Sequence, residues 1–297
     1  MKCLLPIKLC LLTLITIYQP LIIASPLTIM TYNIRRLGDD PVEHQWENRR
    51  QLVFDQILNE NPAVIGFQEV VVGQQLEDLK KGLSHYIAVG ETGRKAFATG
   101  WFQKRVVSLE KAKNESNPLL YDPEQVSLIS YETFGINPTG RFLNASLPRI
   151  CTQATFVDKQ NNKQFIVYNT HLSSSGAWGL KDGTELIRTK QIKMIIKNIK
   201  KNQPCTTPVI IMGDLNTRLE GNMKKKFTKA NFINAKEKAL VQKGPEATRT
   251  GWNDEQLKVI DHILIKGNVK ILEHTVLESP VGHYPSDHRP VCVTINI

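Results

Sequence analysis

The residues best suited to chemistry lie near the end of the chain, where an acidic residue twice precedes a histidine. Asp261-His262 follows an apolar run, and Asp287-His288 stands within Ser286-Asp287-His288-Arg289-Pro290. A carboxylate beside a histidine fixes the imidazole tautomer and stabilises the imidazolium that forms on proton transfer. We therefore predict that Asp287 and His288 form one acid–base pair. Asp261 is expected either to bind metal or to position the histidines, and His262, which points to the opposite face, is expected to be a core residue.

Four further polar clusters each close an apolar, strand-like run. They are Thr31-Tyr32-Asn33, Gln68-Glu69, Asn169-Thr170-His171 and Gly213-Asp214-Leu215-Asn216. Polar side chains at the ends of neighbouring strands meet at one edge of a sheet, so together they predict one site for metal-assisted hydrolysis of a phosphate ester.

A metal position is predicted at Asn33 and Glu69, which end two of these runs. A carboxylate with an amide oxygen nearby suits Mg²⁺, which prefers oxygen ligands and keeps several waters. Capping of a strand end is the structural alternative for either residue alone.

The catalytic candidates in the middle of the chain are His171, Asp214 and Asn216. Asp214 and Asn216 follow a buried strand two residues apart and therefore emerge on one side. Asp214 is predicted to polarise a water nucleophile, and Asn216 to hold the phosphate or a metal-bound water. His171 is predicted to donate to a non-bridging phosphate oxygen. A plain Gly-Asp turn is the alternative for the Asp214 motif.

The elements that must position these residues are mostly strands. Helical periodicity is confined to Trp46–Leu58, Gln74–Leu83 and Glu185–Ile199. Strands dominate and helices fall between strand pairs, which predicts an α/β fold of two packed sheets with helices on the outer faces. The predicted strands are Leu27–Thr31, Ala63–Gln68, Tyr86–Gly90, Gly100–Leu109, Gln125–Tyr131, Ile150–Val157, Phe165–Asn169, Pro208–Met212, Val259–Ile265, Ile271–Leu277 and Val291–Ile297.

The first 25 residues have the composition of a secretory signal peptide. Lys2 and Lys8 precede an apolar stretch that ends at Ala24-Ser25, and the stretch is short for a membrane span of ~20 residues. We therefore predict a signal peptide at 1–25, one domain at 26–297, secretion or periplasmic export, and no transmembrane segment after cleavage. An uncleaved N-terminal anchor is the alternative.

The mature chain is basic and poor in cysteine. Loss of Lys2 and Lys8 lowers the formal charge from +10 to +8, which favours polyanionic partners such as nucleic acid or anionic lipid. Cys151, Cys205 and Cys292 permit at most one intramolecular disulfide, and their apolar neighbours favour buried thiols. We expect a monomer.

With these residues in place, the chain resembles the endonuclease/exonuclease/phosphatase superfamily over Pro26 to Ile297. The resemblance is carried by five motifs in the family's order: Thr31-Tyr32-Asn33-Ile34-Arg35, Gln68-Glu69-Val70, Asn169-Thr170-His171-Leu172, Gly213-Asp214-Leu215-Asn216 and Ser286-Asp287-His288. The resemblance implies a four-layer α/β sandwich of two packed, mainly antiparallel sheets flanked by helices. It also implies an activated water that attacks in line, with no covalent enzyme intermediate.

The resemblance also implies roles for individual residues. It has Glu69 binding Mg²⁺, or Mn²⁺, with support from Asn33. It has Asp214 and Asn216 orienting the nucleophile and phosphate, His171 contacting the phosphate, and Asp287 paired with His288. Trp46-Glu47-Asn48-Arg49-Arg50 and Pro148-Arg149-Ile150-Cys151 are most similar to the deadenylase-like branch and its secreted bacterial relatives. The second acidic element of that branch is missing from the corresponding region, which reads Thr99-Gly100-Trp101.

Substrate choice depends on loop residues. Trp178 and Trp252 are expected to stack a base or to enter a lipid interface, and Arg149 and Arg249 to meet phosphate; packing on the domain and plain solvent exposure are the respective alternatives. Basic charge and loop aromatics favour a secreted phosphodiesterase of the nuclease type. A sphingomyelinase-like or phosphoinositide-phosphatase-like lipid enzyme is the second interpretation, and a non-catalytic binding module is the third.

Overall fold

Two large β-sheets form the centre of the structure, a computed structural model. It describes residues 25–38, 40–90, 115–137, 149–174, 184–202, 206–255, 257–279 and 282–297. The predicted strand at Gly100–Leu109, the predicted signal peptide up to Ala24, Trp178 and Cys205 lie outside these ranges. Among the described helices, none is long and apolar enough to cross a membrane.

The first sheet has seven strands. In spatial order they are β12 (Val241–Lys243), β14 (Lys270–Val276), β15 (Val291–Asn296), β1 (Leu27–Asn33), β2 (Val64–Gln68), β6 (Leu119–Tyr121) and β4 (Ile87–Val89). Two of its pairings are parallel, β1 with β2 and β12 with β14, and the others are antiparallel.

The second sheet has six strands. In spatial order they are β11 (Ile233–Asn234), β13 (Asp261–Lys266), β10 (Val209–Asp214), β9 (Gln164–His171), β8 (Ile150–Asp158) and β7 (Val126–Gly135). Strands β9 and β10 are parallel, and the other neighbours are antiparallel. A short pair, β3 (Val70–Val71) with β5 (Glu115–Ser116), lies beside the first sheet's strand ends. The sequence analysis missed the short strands β3, β5, β6, β11 and β12.

The four longer helices cover the outer faces of the sheets, whereas the shortest one packs between the sheets against β13 and β14. They are α1 (Trp46–Glu60), α2 (Gln74–Gly82), α3 (Thr184–Asn202), α4 (Gly221–Lys229) and α5 (Ala235–Lys238), with a 3₁₀ turn at Val42–His44. The three predicted helices are confirmed to within three residues at each end. Helix α1 ends because Asn61 adopts a left-handed conformation, with φ of 44°, and Pro62 follows.

Three buried apolar clusters separate four layers. One lies between the sheets and includes Ile29, Val167 and Ile210. A second packs Trp46, Phe54 and other α1 and α2 residues on the first sheet, and a third packs α3 and α4 on the second sheet. The predicted four-layer α/β sandwich is thereby confirmed. Burial of these apolar faces is what holds the strand ends of both sheets together at one edge.

Candidate active site

The polar clusters at the strand ends meet in one cavity. Asn33 ends β1 beside Gln68 at the end of β2, and His171 ends β9 beside Asp214 at the end of β10. Asp261 opens β13 directly opposite Asp214. The cavity has a volume of about 370 Å³ and is lined by Arg35, Arg36, Glu69, Glu115, Arg149, His171, Ser174, Asp214, Asn216, Arg249, Lys258, Ile260, Asp287 and His288.

His288 pairs with Asp261, not with its sequence neighbour Asp287. The Nδ1 atom of His288 lies 2.9 Å from Asp261 Oδ2, which also accepts a 2.6 Å hydrogen bond from the Thr248 hydroxyl. The Nε2 atom of the same ring faces Asp214 Oδ2 at 3.8 Å. The predicted Asp287–His288 pair is therefore wrong as a contact, because consecutive residues of an extended loop point in different directions. The expectation that Asp261 positions a histidine fits this geometry.

Asp287 instead faces a cation and the cavity. Its Oδ2 atom lies 3.7 Å from Arg249 Nη2, and its buried Oδ1 atom has no hydrogen-bond partner among the described residues. The loop is fixed from behind, because the hydroxyl of Ser286 donates to the backbone oxygen of Asn33 at 2.7 Å. Asp287 thus offers a free carboxylate oxygen next to the site.

Asp214 lies at the centre of the polar network. Its Oδ1 atom accepts the backbone N–H of Asn216 at 2.8 Å, and its Oδ2 atom accepts Asn33 Nδ2 at 3.2 Å. His171 Nε2 lies 3.5 Å from Asp214 Oδ2 and 3.0 Å from Asn216 Nδ2. The structure therefore brings together the residues that the sequence analysis proposed for the nucleophile and the phosphate.

A glycine makes this close approach of β9 and β10 possible. Gly213 has φ of 139°, and a Cβ atom added there would lie 1.8 Å from the carbonyl oxygen of Thr170 on β9. No side chain fits at that distance, so the residue before Asp214 has to be glycine. The neighbouring strand backbones then hold Asp214 and His171 side by side.

Glu69 extends into the cavity from a strained backbone. It adopts φ of 61°, which is uncommon for a residue with a side chain, and its carboxylate accepts the backbone N–H of Arg36 at 3.2 Å. Asn33 Nδ2 approaches Glu69 Oε1 at 3.4 Å, whereas Asn33 Oδ1 accepts the backbone N–H of Arg35 at 3.0 Å. Asn33 therefore contacts the carboxylates of Glu69 and Asp214 through its amide nitrogen, and metal binding by its amide oxygen stays a prediction.

Glu115 is an acidic site residue that the sequence analysis missed. It opens β5, and its carboxylate lies 3.9 Å from His171 Nδ1 and 4.0 Å from Arg36 Nη1. The sequence lacks the second acidic element of the deadenylase-like branch at Thr99-Gly100-Trp101. Glu115, further along the chain, places a second acid in the cavity. The signal available in the sequence was Glu115 itself, three residues before the apolar segment Pro118-Leu119-Leu120-Tyr121.

Of the four predicted substrate-contacting residues, two line the cavity. Arg149 is 7% exposed, and its guanidinium has no hydrogen-bond or ion-pair partner among the described residues. Arg249 lies across the cavity beside Lys258. Trp252 does not line the cavity: its ring stacks on His44, with centroids 4.3 Å apart. The expectation of base stacking by Trp252 is corrected to packing within the protein, and Trp178 lies outside the described residues.

His262, Cys151 and Cys292 are buried away from the cavity and have structural roles. His262 is 5% exposed, and its Nε2 lies 2.9 Å from the backbone oxygen of Thr217, as expected for a core histidine. Cys151 and Cys292 are buried free thiols, and burial raises the pKa of both well above the usual value. The expectation of buried, unreactive thiols is confirmed for these two.

Burial and neighbouring charges shift the pKa values of two acidic groups of the cavity in opposite directions. Burial raises the pKa of Asp214 to about 7, with a further increase from Asp261 that His288 and the Asn216 N–H only partly oppose. Burial also disfavours the charged form of Glu69, but His171, His288 and Arg35 outweigh it, so the pKa of Glu69 falls to about 2. One carboxylate is thus held charged while another is poised to accept a proton near neutral pH.

The two site histidines are shifted in opposite directions. Burial lowers the pKa of His288, but Asp261, Asp287 and Asp214 more than reverse this and raise it to about 10. Burial, followed by the charge of Arg149, holds the pKa of His171 well below its usual value. His171 is therefore neutral at neutral pH, and one ring nitrogen can donate a hydrogen bond without carrying charge.

Two sets of residues fit a divalent cation. Ligand atoms of Asp214, Asp261 and His288 lie within 4.8 Å of one another, and this set includes a ring nitrogen; Asp261 Oδ2 is bound to His288, whereas Asp261 Oδ1 has no hydrogen-bond partner among the described residues. Glu69 and Asp287 face the same cavity, and the unpartnered Asp287 Oδ1 is an oxygen that lacks a donor. Mg²⁺ prefers oxygen ligands, so the donor chemistry favours Glu69 with Asp287, and Asn33 as the residue that orients Glu69.

Comparison with known proteins places this geometry in a family. The model of the Endonuclease/Exonuclease/phosphatase family matches residues 30–288, and the chain belongs to that family. Mouse Nocturnin is 24% identical over 89% of this chain and 64% of its own length, so the chain spans less than two thirds of this curated relative.

Solved structures with the same fold include two bacterial proteins. An endonuclease/exonuclease/phosphatase from Bacteroides vulgatus superposes with a TM-score of 0.77 at 22% identity, over 92% of this chain and 99% of that one. The mannosyl-6-phosphatase of Bacteroides thetaiotaomicron superposes with a TM-score of 0.75 at 21% identity, over 91% and 100%. Members of the family are metal-dependent hydrolases that act on phosphoester bonds.

Proposed function

We propose that the chain is a metal-dependent phosphodiesterase that hydrolyses phosphodiester bonds of nucleic acid. The observation that carries the proposal is the arrangement of the cavity, in which cations surround a cluster of acids. Arg149 precedes β8, and Arg249 pairs with Lys258 shortly before β13; these two strands flank β9 and β10, whose ends carry His171 and Asp214, and all these cations and Glu69, Asp214 and Asp287 line the same cavity. A phosphate beside the acids meets the metal, and neighbouring phosphates of a chain meet the flanking cations.

Each residue of the cavity is assigned one part of the reaction. Glu69, oriented by Asn33, and Asp287 would hold a divalent cation, which would neutralise charge on the phosphate. Asp214, whose pKa is raised to about 7, accepts the hydrogen bond of the attacking water. Asp261 holds His288, whose positive charge faces Asp214 Oδ2 at 3.8 Å and opposes the rise in the pKa of that carboxyl group.

His171 and Asn216 are assigned to the phosphate. They lie 3.0 Å apart, and Asn216 also donates to the backbone oxygen of Leu172 at 3.1 Å, which fixes the amide. Donors held in place in this way stabilise charge that builds up on phosphate oxygens in the transition state. Glu115 lines the cavity on the Nδ1 side of the His171 ring, at 3.9 Å.

A phosphomonoester of a sugar or inositol is the second candidate. The unpaired guanidinium of Arg149 suits a terminal phosphate, which carries more charge than a diester. The mannosyl-6-phosphatase with this fold acts on such a group according to its name. Sphingomyelin remains a third possible substrate class for the same core.

A hydrolysis panel with the purified protein tests the proposal. Single-stranded RNA and DNA, mannose 6-phosphate, phosphoinositide vesicles and sphingomyelin vesicles are compared with Mg²⁺ and with Mn²⁺, and the Glu69→Gln variant serves as a control for contaminating enzymes. We expect turnover of RNA or DNA, with an affinity that falls steeply with salt because phosphate contacts release counterions. Turnover restricted to the monoester or to a lipid would replace the nucleic acid assignment.

A further inference from the structure

Arg49 of α1 is a buried cation whose hydrogen bonds go to backbone oxygens. It is 1% exposed and has no ion pair with an acidic residue in the described part of the chain. Its Nε donates to His44 O at 2.8 Å, and Nη2 donates to Arg35 O at 2.8 Å. Its Nη1 donates to Ile34 O at 2.6 Å and to Pro285 O at 2.8 Å. A guanidinium presents its five N–H groups in a fixed fork, so these carbonyls are held at fixed separations.

Three of the four carbonyls bound by Arg49 belong to the two loops that carry the site. Ile34 and Arg35 directly follow Asn33, the residue that orients Glu69 and Asp214. Pro285 directly precedes Ser286, Asp287 and His288. The two loops are about 250 residues apart in the sequence, and Arg49 bonds both through a single nitrogen.

Aromatic rings hold the guanidinium and bring in a third segment. The Cζ atom of Arg49 lies 5.2 Å from the ring centre of Trp46 and 5.4 Å from that of Trp252. Trp252 is held in turn by the stacked ring of His44. Next to Trp252, the backbone N–H groups of Thr250 and Gly251 donate to the backbone oxygen of Asp287 at 2.8 and 3.2 Å. The loop that presents Arg249 is therefore fixed to the same centre.

We propose that Arg49 is a positioning residue for the hydrolytic reaction, which sets the distance between the Asn33 loop and the Asp287-His288 loop without touching substrate. It acts through backbone oxygens, so it controls the relative placement of Glu69, Asp214 and His288. The kinetic part of this inference rests on the proposed phosphoesterase function.

The test is Arg49→Lys, which keeps the charge and removes the fork. A single ammonium cannot reach oxygens on both loops and on His44 at once. We expect kcat to fall roughly 10- to 100-fold with KM within threefold of wild type, since small misplacement of reacting groups costs rate. Arg50→Lys is the matched control: Arg50 is the next residue, half-exposed and paired with Asp78 at 3.0 Å, and its variant should keep wild-type kinetics.

A double-mutant cycle with Ser286→Ala separates positioning from general loss of stability. Ser286 joins the same two loops, so the two losses in kcat should be less than additive, measured at a temperature where every variant is folded. Strictly additive losses, or wild-type kcat in folded Arg49→Lys, would overturn the inference.

Two further measurements keep the inference testable if Arg49→Lys does not fold or if no phosphoester is turned over. Trp252→Leu, at a partly exposed position, removes one ring from the guanidinium and should lower kcat about threefold or more with KM unchanged. Mn²⁺ affinity by titration calorimetry needs no substrate and should weaken roughly tenfold in Arg49→Lys, or measurably in Trp252→Leu. Wild-type Mn²⁺ affinity in the variant that folds would contradict the positioning role. If Mn²⁺ affinity weakens in the variants as expected but the wild-type protein hydrolyses no phosphoester, only the proposed function is contradicted.

Discussion

The acidic side chains of the cavity differ in charge because each has different neighbours. Burial disfavours the charged form of Glu69, but the positive charges of His288 and Arg35 stabilise it at neutral pH. Burial and the carboxylate of Glu69 raise the pKa of Glu115. A site that keeps one carboxyl group charged and raises the pKa of another can bind a cation with the first and transfer a proton with the second.

Glu69→Gln should abolish most of the metal dependence. The amide keeps the shape and loses the charge, so we expect turnover and apparent Mg²⁺ affinity each to fall by at least roughly 10²-fold. Glu77→Gln is the matched control, because Glu77 is exposed on α2 and pairs only with Lys80. Turnover is measured across a Mg²⁺ titration, and full wild-type activity in excess chelator would contradict the prediction.

His288→Ala should lower kcat by roughly 10²–10⁴-fold, the usual contribution of a positioned acid–base group. Asp261→Asn should lose nearly as much, because the 2.9 Å contact that fixes the ring is changed. The double variant should lose little more than the worse single variant. Asp287→Asn combined with His288→Ala should come closer to additive losses, because Asp287 acts on His288 by charge without a hydrogen bond and lies against Arg249. Non-additivity in the Asp287 pair alone would restore the pairing predicted from sequence.

At the scale of elements, the site depends on parallel strands that end together. The register of β9 with β10 sets His171 beside Asp214, and the register of β1 with β2 sets Asn33 beside Gln68. Behind these ends, Gln68 Nε2 donates to Asn169 Oδ1 at 2.7 Å, and Asn169 Nδ2 donates to the backbone oxygen of Phe67 at 2.8 Å. Hydrogen bonds of buried amides thus join the two sheets directly beneath the cavity.

Gly213→Ala should destabilise the protein by roughly 3 kcal/mol, because the new methyl group clashes with the Thr170 carbonyl and the backbone has φ of 139°. Gly38→Ala is the control, since a Cβ atom there meets its nearest neighbour only at 3.9 Å. Denaturant unfolding measures both. Equal stability of the two variants would show that β9 can move away from β10 at no cost.

At the scale of the whole molecule, the first sheet carries a buried titratable group far from the chemistry. His274 on β14 is 5% exposed, and burial, followed by the charges of Lys236 and His262, lowers its pKa from 6.5 to about 4. The folded state therefore keeps the ring neutral at a pH where the unfolded chain already binds a proton.

The stability of the fold should consequently fall on acidification. The contribution is fully present above pH 6.5 and is lost as the pH falls from 6.5 towards 4, because only the unfolded chain gains a proton in that window. His274→Gln should flatten this part of the profile of Tm against pH, and His85→Gln, at an exposed position, should not. Parallel profiles for wild type and His274→Gln would assign the acid sensitivity elsewhere.

The sequence by itself determined the four-layer fold and most of the site. Runs of alternating or continuous apolar residues predict strands, because such strands bury one or both faces. Polar residues at the ends of these runs then lie at the edge of the sheet. Asn33, Glu69, His171, Asp214, Asn216 and Asp261 could thus be identified one strand at a time. The predicted signal peptide, and the division at residue 25, stay predictions from composition alone.

Only the tertiary structure decided which of these side chains face one another. The partner of His288 is Asp261, 27 residues away, because the backbone at Arg249 pairs with both Lys258, shortly before β13, and His288, and no local pattern encodes that pairing. Glu115 enters the site on a two-residue strand too short to show periodicity, and Trp252 packs inward because Arg49 and His44 hold it. Contacts between distant segments depend on the packing of the whole core, whereas a sequence pattern reports only the local period and burial of its own segment.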